Sequence, residues 1–178
     1  MNEKDMMDMG GPKMRDEQKV TVLDKINQAL ADLGSTAKWR RAPEYLKEYE
    51  PLKGKRLVMV DDMKGLLEHF APGLMVATDG NASFIEYTGQ NSDQLIEQIM
   101  QHDPDIVVMD YHLSDHLKGS SVIRSLNEQN FSGQTIGFSS DNATSKNFMA
   151  AGAKGTVKKD TGEPERSIGE LANLISKE

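Results

Sequence analysis

The stretch DIVVMDYHL (105–113) decides the fold. Its centre, IVVM (106–109), is an unbroken apolar run rich in β-branched residues, too short for a buried helix and closed on both sides by acids. A continuous rather than alternating run predicts a strand buried on both faces, as in a parallel sheet covered by helices. The run ends in Asp110.

Working outward, the same grammar recurs. Before the run, Leu95, Ile96, Ile99 and Met100 lie at helical spacing, and Ser92 is a suitable cap. After it, Val122, Ile123 and Leu126 predict another helix. A second buried run, LVMV (57–60), ends in Asp61 and Asp62, and Leu66, Leu67 and Phe70 follow as a helix that Pro72 should interrupt. The stretch from there to Gly80 is ambiguous, and Phe84–Tyr87 reads as a strand. TIGF (135–138) is a strand ending in Ser139 and Ser140, followed by a helix with Phe148 and Met149 that Gly152 closes. Thr156 and Val157 form a short strand leading into Lys158 and Lys159, and Pro164 opens a helix with Ile168, Leu171, Leu174 and Ile175. Strand and helix alternate five times. The expected fold is α/β, a five-stranded doubly wound parallel sheet with right-handed crossovers and helices on both faces.

In such sheets, ligands bind beyond the carboxyl ends of the strands, where strand order reverses. Asp61, Asp62, Asp110, Ser139 and Lys159 all fall at strand ends on that edge. Carboxylates gathered there repel unless a cation joins them. Mg²⁺ suits the set, being a hard ion usually held by one or two carboxylates, waters and phosphate oxygens. Lys159 would neutralise one phosphoryl oxygen, Ser139 would donate to another, and Asp110 at the end of the central strand is the best-placed nucleophile. His112 and His116 with Asp115 lie on one short loop without a further ligand at metal spacing, so they read as solvated.

Ahead of this block, Val20, Leu23, Ile26, Leu30 and Leu33 recur at three- and four-residue spacing before Gly34, predicting an amphipathic helix from Asp16 to Leu33. Its stripe is too short for a self-sufficient coiled coil, so docking on its own domain is the leading reading, with a homodimer seam or a partner helix as alternatives. A connector to Arg56 should hold a short helix near Pro43–Tyr49, with Trp39 packed against the body. The division is then a disordered tail over 1–15, a helical extension and connector over 16–55, and the α/β domain over 56–178.

The chain has 178 residues, 37% hydrophobic and 28% charged, which suits one globular domain with an appendage. No run approaches the roughly 18 apolar residues of a membrane span, and no signal-peptide core is present. The absence of cysteine excludes thiol chemistry and points to a cytoplasmic protein. The net charge is −7, with +2 on residues 1–56 and −9 on the remainder. That acidity argues against direct nucleic-acid binding by the main domain.

Four pieces, VDD (60–62), DIVVMDYHL (105–113), IGFSS (136–140) and AGAKGTVKKD (151–160), together resemble the receiver domain of response regulators in order and spacing, over residues 56 to 178. The resemblance implies a flavodoxin-like fold and a phosphoacceptor in a two-component phosphorelay. It implies phosphorylation of Asp110 by a histidine kinase or histidine phosphotransfer protein, with Mg²⁺ held directly by Asp62, Asp110 and the main-chain carbonyl of His112, and by Asp61 through water or directly. It puts Ser139 at the Thr/Ser switch position and Lys159, rather than Lys158, at the lysine position. Departures include Asp160 and Ser114 where the family often has proline, and Thr156 in place of a common aromatic. The loop after Asp110, one residue longer with Gly119 in place of the usual glycine, and a short loop after Ser139 also depart from the pattern, and 71–88 aligns poorly. With no second domain expected, output would run through a protein target, a dimer or the N-terminal helix. The expected role is signalling rather than enzymatic; a non-phosphorylated binding module and, less favoured, an aspartyl-nucleophile phosphatase are the alternatives.

Overall fold

A computed structural model describes residues 20–177. The tail expected over 1–15, and the first residues of the helix expected from Asp16, lie outside the described residues.

Five strands form one parallel sheet in the order β2-β1-β3-β4-β5: β1 Leu57–Asp61, β2 Ala82–Glu86, β3 Ile106–Asp110, β4 Gln134–Ser139 and β5 Gly155–Lys158. Every residue of β1 and β3 is buried, as their unbroken apolar runs require. Alternate side chains serve opposite faces. Leu57, Met59, Ile106, Val108, Ile136, Phe138 and Val157 join one core with α2 (Lys64–Ala77) and α6 (Pro164–Ser176). Val58, Val60, Val107 and Met109 join the other with α3 (Ser92–Met100), α4 (Gly119–Glu128) and α5 (Ser145–Ala150).

The first core also takes in residues ahead of β1. Helix α1 (Val22–Asp32) buries Ile26, Ala29 and Leu30 against α2, so its stripe docks on its own domain. It begins later than expected. Thr21 is extended and accepts from the Asp24 N–H at 3.2 Å, while the Asp24 carboxylate accepts from the Thr21 N–H at 2.9 Å. This reciprocal cap sets the start and leaves Val20 exposed. Gly34, at φ +70°, ends the helix in the left-handed conformation that glycine favours. The short helix expected near Pro43–Tyr49 lies later, as a 3-10 helix at Lys47–Leu52, and it buries Tyr49 and Leu52 against α6. Trp39, expected to pack on the body, is only partly covered: it is 40% exposed.

Two further expectations change. Pro72 does not interrupt α2, which runs fourteen residues to Ala77. Burial of Phe70, Ala71, Leu74, Met75, Val76 and Ala77 outweighs the hydrogen bond that proline forfeits. Gly73 then lets α6 come close, since a Cβ there would lie 2.6 Å from Ile168 Cδ1. In α3 the cap is Asn91, whose Oδ1 accepts from the Gln94 N–H at 2.9 Å, so Ser92 is the first helical residue.

Candidate functional site

Strands β1 and β3 lie side by side, yet the helices that follow them, α2 and α4, cover opposite faces. The chain therefore parts at the carboxyl ends of these two strands and leaves a crevice there. Asp61 ends β1 fully buried, and Asp110 ends β3 at 4% exposure. Asp62, one residue beyond β1, is exposed, and carboxylate oxygens of Asp61, Asp62 and Asp110 all come within 4.8 Å of one another.

Lys159 follows β5 directly and reaches back over Phe138, its Nζ 5.5 Å from the ring centroid. That ammonium lies 2.6 Å from Asp61 Oδ2 and 2.7 Å from Asp110 Oδ1. Its neighbour Lys158 is exposed, so Lys159 is the lysine that touches the carboxylates. Burial pushes Asp61 up to about 6; Lys159 and the Met63 N–H, which donates to Oδ1 at 2.9 Å, oppose the shift, and the Asp110 charge adds to it. The pocket holds more negative charge than one ammonium offsets, and the donor set is all oxygen. That is the chemistry a hard divalent cation fits.

Ser139 ends β4. Its Oγ accepts from the Asp141 N–H at 3.1 Å, and its carbonyl accepts from the Lys159 N–H at 3.1 Å. The hydroxyl is thus tied to the loop before α5. His112 lies two residues past Asp110 on the β3–α4 loop, where it forms an isolated antiparallel bridge with Lys118. Its imidazole is on the surface, with Nδ1 3.4 Å from Lys118 Nζ. Gly119 turns this loop back beneath the site: its N–H donates to the Tyr111 carbonyl at 2.9 Å, and a Cβ there would sit 1.8 Å from the Asp110 carbonyl oxygen.

Sequence reading missed one group of residues. Tyr111, next to Asp110, packs edge-on against Phe148 with centroids 5.3 Å apart, and its hydroxyl accepts from Asn147 Nδ2 at 2.6 Å. Thr156 is hydrogen-bonded to Ser145 at 3.0 Å between their hydroxyls. Gly137 in β4 makes room for Phe148, whose ring a Cβ would meet at 2.2 Å. A glycine inside a strand marks such a close approach.

Residues 57–167 match the family described as response regulator receiver domain. No curated protein sequence matches the chain. Among solved structures, a putative response regulator from Chloroflexus aurantiacus superposes with a TM-score of 0.55 at 17% identity, over 70% of this chain and all of its own. The BeF3-activated N-terminal receiver domain of RstA from Klebsiella pneumoniae gives 0.54 at 20% identity, over 68% of this chain and 98% of its own. The receiver domain of the histidine kinase CKI1 from Arabidopsis thaliana, complexed with Mg²⁺ and BeF3⁻, gives 0.54 at 17% identity, over 72% and 91%. These likenesses bear on fold, which is the five-stranded flavodoxin-like one seen here. With the match covering more than half of the chain, this protein belongs to the response regulator receiver domain family of two-component signalling.

Proposed function

We propose that Asp110 accepts a phosphoryl group from a histidine kinase or histidine phosphotransfer protein, in the cytoplasm, and that the product signals through protein contacts rather than by catalytic turnover. The observation that carries this reading is the convergence of Asp61, Asp62 and Asp110 within 4.8 Å, with Lys159 bridging two of them. In the transfer, a carboxylate oxygen of Asp110 bonds phosphorus as the bond from phosphorus to the donor imidazole nitrogen breaks, and that nitrogen recovers a neutral lone pair. Asp61, Asp62, Asp110 and the main-chain carbonyl of His112 would hold Mg²⁺, which when bound supplies charge compensation at the phosphoryl oxygens. The Mg²⁺ and BeF3⁻ complex of the Arabidopsis receiver is in keeping with this assignment. Lys159 shifts from the carboxylates to a phosphoryl oxygen. Ser139 turns its hydroxyl to another and so lets go of the Asp141 N–H.

That release has a route outward. Asp141 caps the 3-10 turn Asn142–Thr144 that leads into α5, and α5 carries the Asn147 and Phe148 that hold Tyr111. With Thr156 bonded to Ser145, Tyr111 is the aromatic that reports movement of α5. The test is intact mass after incubation with a small-molecule phosphodonor, with and without Mg²⁺, for wild type and Asp110→Asn. A single adduct that needs both the metal and Asp110 is expected. A folded wild-type protein that takes none would establish a plain binding module instead, and steady turnover of a phosphomonoester would establish a phosphatase.

A further inference from the structure

The segment Ala37–Glu44 lies outside the receiver match and does not take part in the site. Its main chain is nonetheless pinned. The Trp39 N–H donates to Asn27 Oδ1 at 2.8 Å, and Asn27 Nδ2 donates to the Trp39 carbonyl at 3.0 Å, so a single α1 side chain clamps both polar groups of one residue. What this clamp presents is Trp39, 40% exposed as a residue, flanked by the exposed Lys38, Arg40 and Arg41. Among the described residues none of these three cations forms an ion pair, whereas Arg56 has both Asp103 and Asp105. A fixed backbone under a partly exposed aromatic and unpaired cations is a preorganised surface for an anion with apolar character.

Charge selects among such partners. Residues 57–178 carry a balance of −9. An extended polyanion, whether a nucleic-acid strand or an anionic bilayer, would bring further negative charge against that body. A short acidic protein segment places its few carboxylates on the three cations and an apolar side chain on the indole, and meets none of that repulsion. We infer that Lys38, Trp39, Arg40 and Arg41 form a docking surface for an acidic segment of a partner protein, independent of phosphorylation at Asp110.

Trp39 is the only tryptophan in the chain, so its fluorescence reads this surface directly. The full chain is titrated with a synthetic peptide of alternating Asp or Glu and Leu or Phe, with its Lys-substituted counterpart, with a single-stranded oligonucleotide, and with phosphatidylserine vesicles. The acidic peptide is expected to shift Trp39 emission to the blue saturably and to weaken with salt. Arg40→Glu with Arg41→Glu is expected to weaken binding roughly tenfold or more. Asn27→Ala, which keeps every charge and frees the backbone, is expected to weaken it several-fold. The inference is overturned if the acidic peptide gives no saturable change, if its Lys counterpart binds equally, or if the oligonucleotide or the vesicles bind as tightly.

Discussion

Replacing Asp61 by asparagine should stabilise the protein in the absence of metal, and the gain should disappear in acid. Asp61 is fully buried and pushed up to about 6, against 3.8 for an ordinary aspartate. A carboxyl whose folded value is raised is penalised for ionising in the folded state. Wild-type stability from this group is therefore intact below about pH 4 and is lost as pH rises through about 6. At about 1.36 kcal/mol per decade, the loss at pH 8 is about 3 kcal/mol. Asparagine approximates the protonated carboxyl, so Asp61→Asn recovers that amount at pH 8 and almost nothing at pH 4. In a domain of this size it should raise Tm by about 6 to 12 °C at pH 8. Thermal and urea unfolding of both proteins from pH 4 to pH 8 in chelator reads the effect directly. The reasoning fails if the variant is no more stable at pH 8, or if its advantage is the same at pH 4. Added Mg²⁺ should then stabilise the wild type more than the variant.

Other substitutions probe the remaining parts. Lys159→Met leaves two buried carboxylates facing each other and should cost about 3–5 kcal/mol at pH 8, less at pH 5, read from urea midpoints. Gly119→Ala drives a methyl into the Asp110 carbonyl and should destabilise by about 2 kcal/mol, slowing adduct formation in the mass assay. Leu30→Ala should cost about 2–5 kcal/mol, with Trp39 fluorescence and far-ultraviolet dichroism falling together. Fluorescence melting well before the dichroism would show that α1 is not part of the folding unit.

The site and the sheet were largely legible because both are written locally. An apolar run closed by an acid states at once that a strand is buried and where it ends, so Asp61 and Asp110 could be placed on one edge without knowing any contact. Lys159 was placed at the strand end, and the resemblance to the receiver family supported it over Lys158, since the two are neighbours of the same chemistry and only strand register separates their directions. Pro72 was misread because its local penalty is overridden by the burial of side chains on either side of it, a tertiary effect. The start of α1 was readable in the Thr21 and Asp24 pair but is a finer signal than the apolar stripe that masked it. The bond between Tyr111 and Asn147 depends on how α5 sits over the loop after β3, and no spacing within either segment announces it.

Ile26, Leu30, Tyr49 and Leu52 are each at most 1% exposed and share a core with the sheet and with α2 and α6. The family match begins at residue 57, but this core begins earlier, at Ile26. A receiver that seals its own surface can be cut and pasted between genes at its sequence boundary. This one would carry a hydrophobic scar along α2 and α6 wherever such a cut were made, prone to sticking to itself or to other chains. Chimaeras built from it should therefore be joined ahead of Thr21, and a host fused at residue 57 would have to supply its own cover for that face.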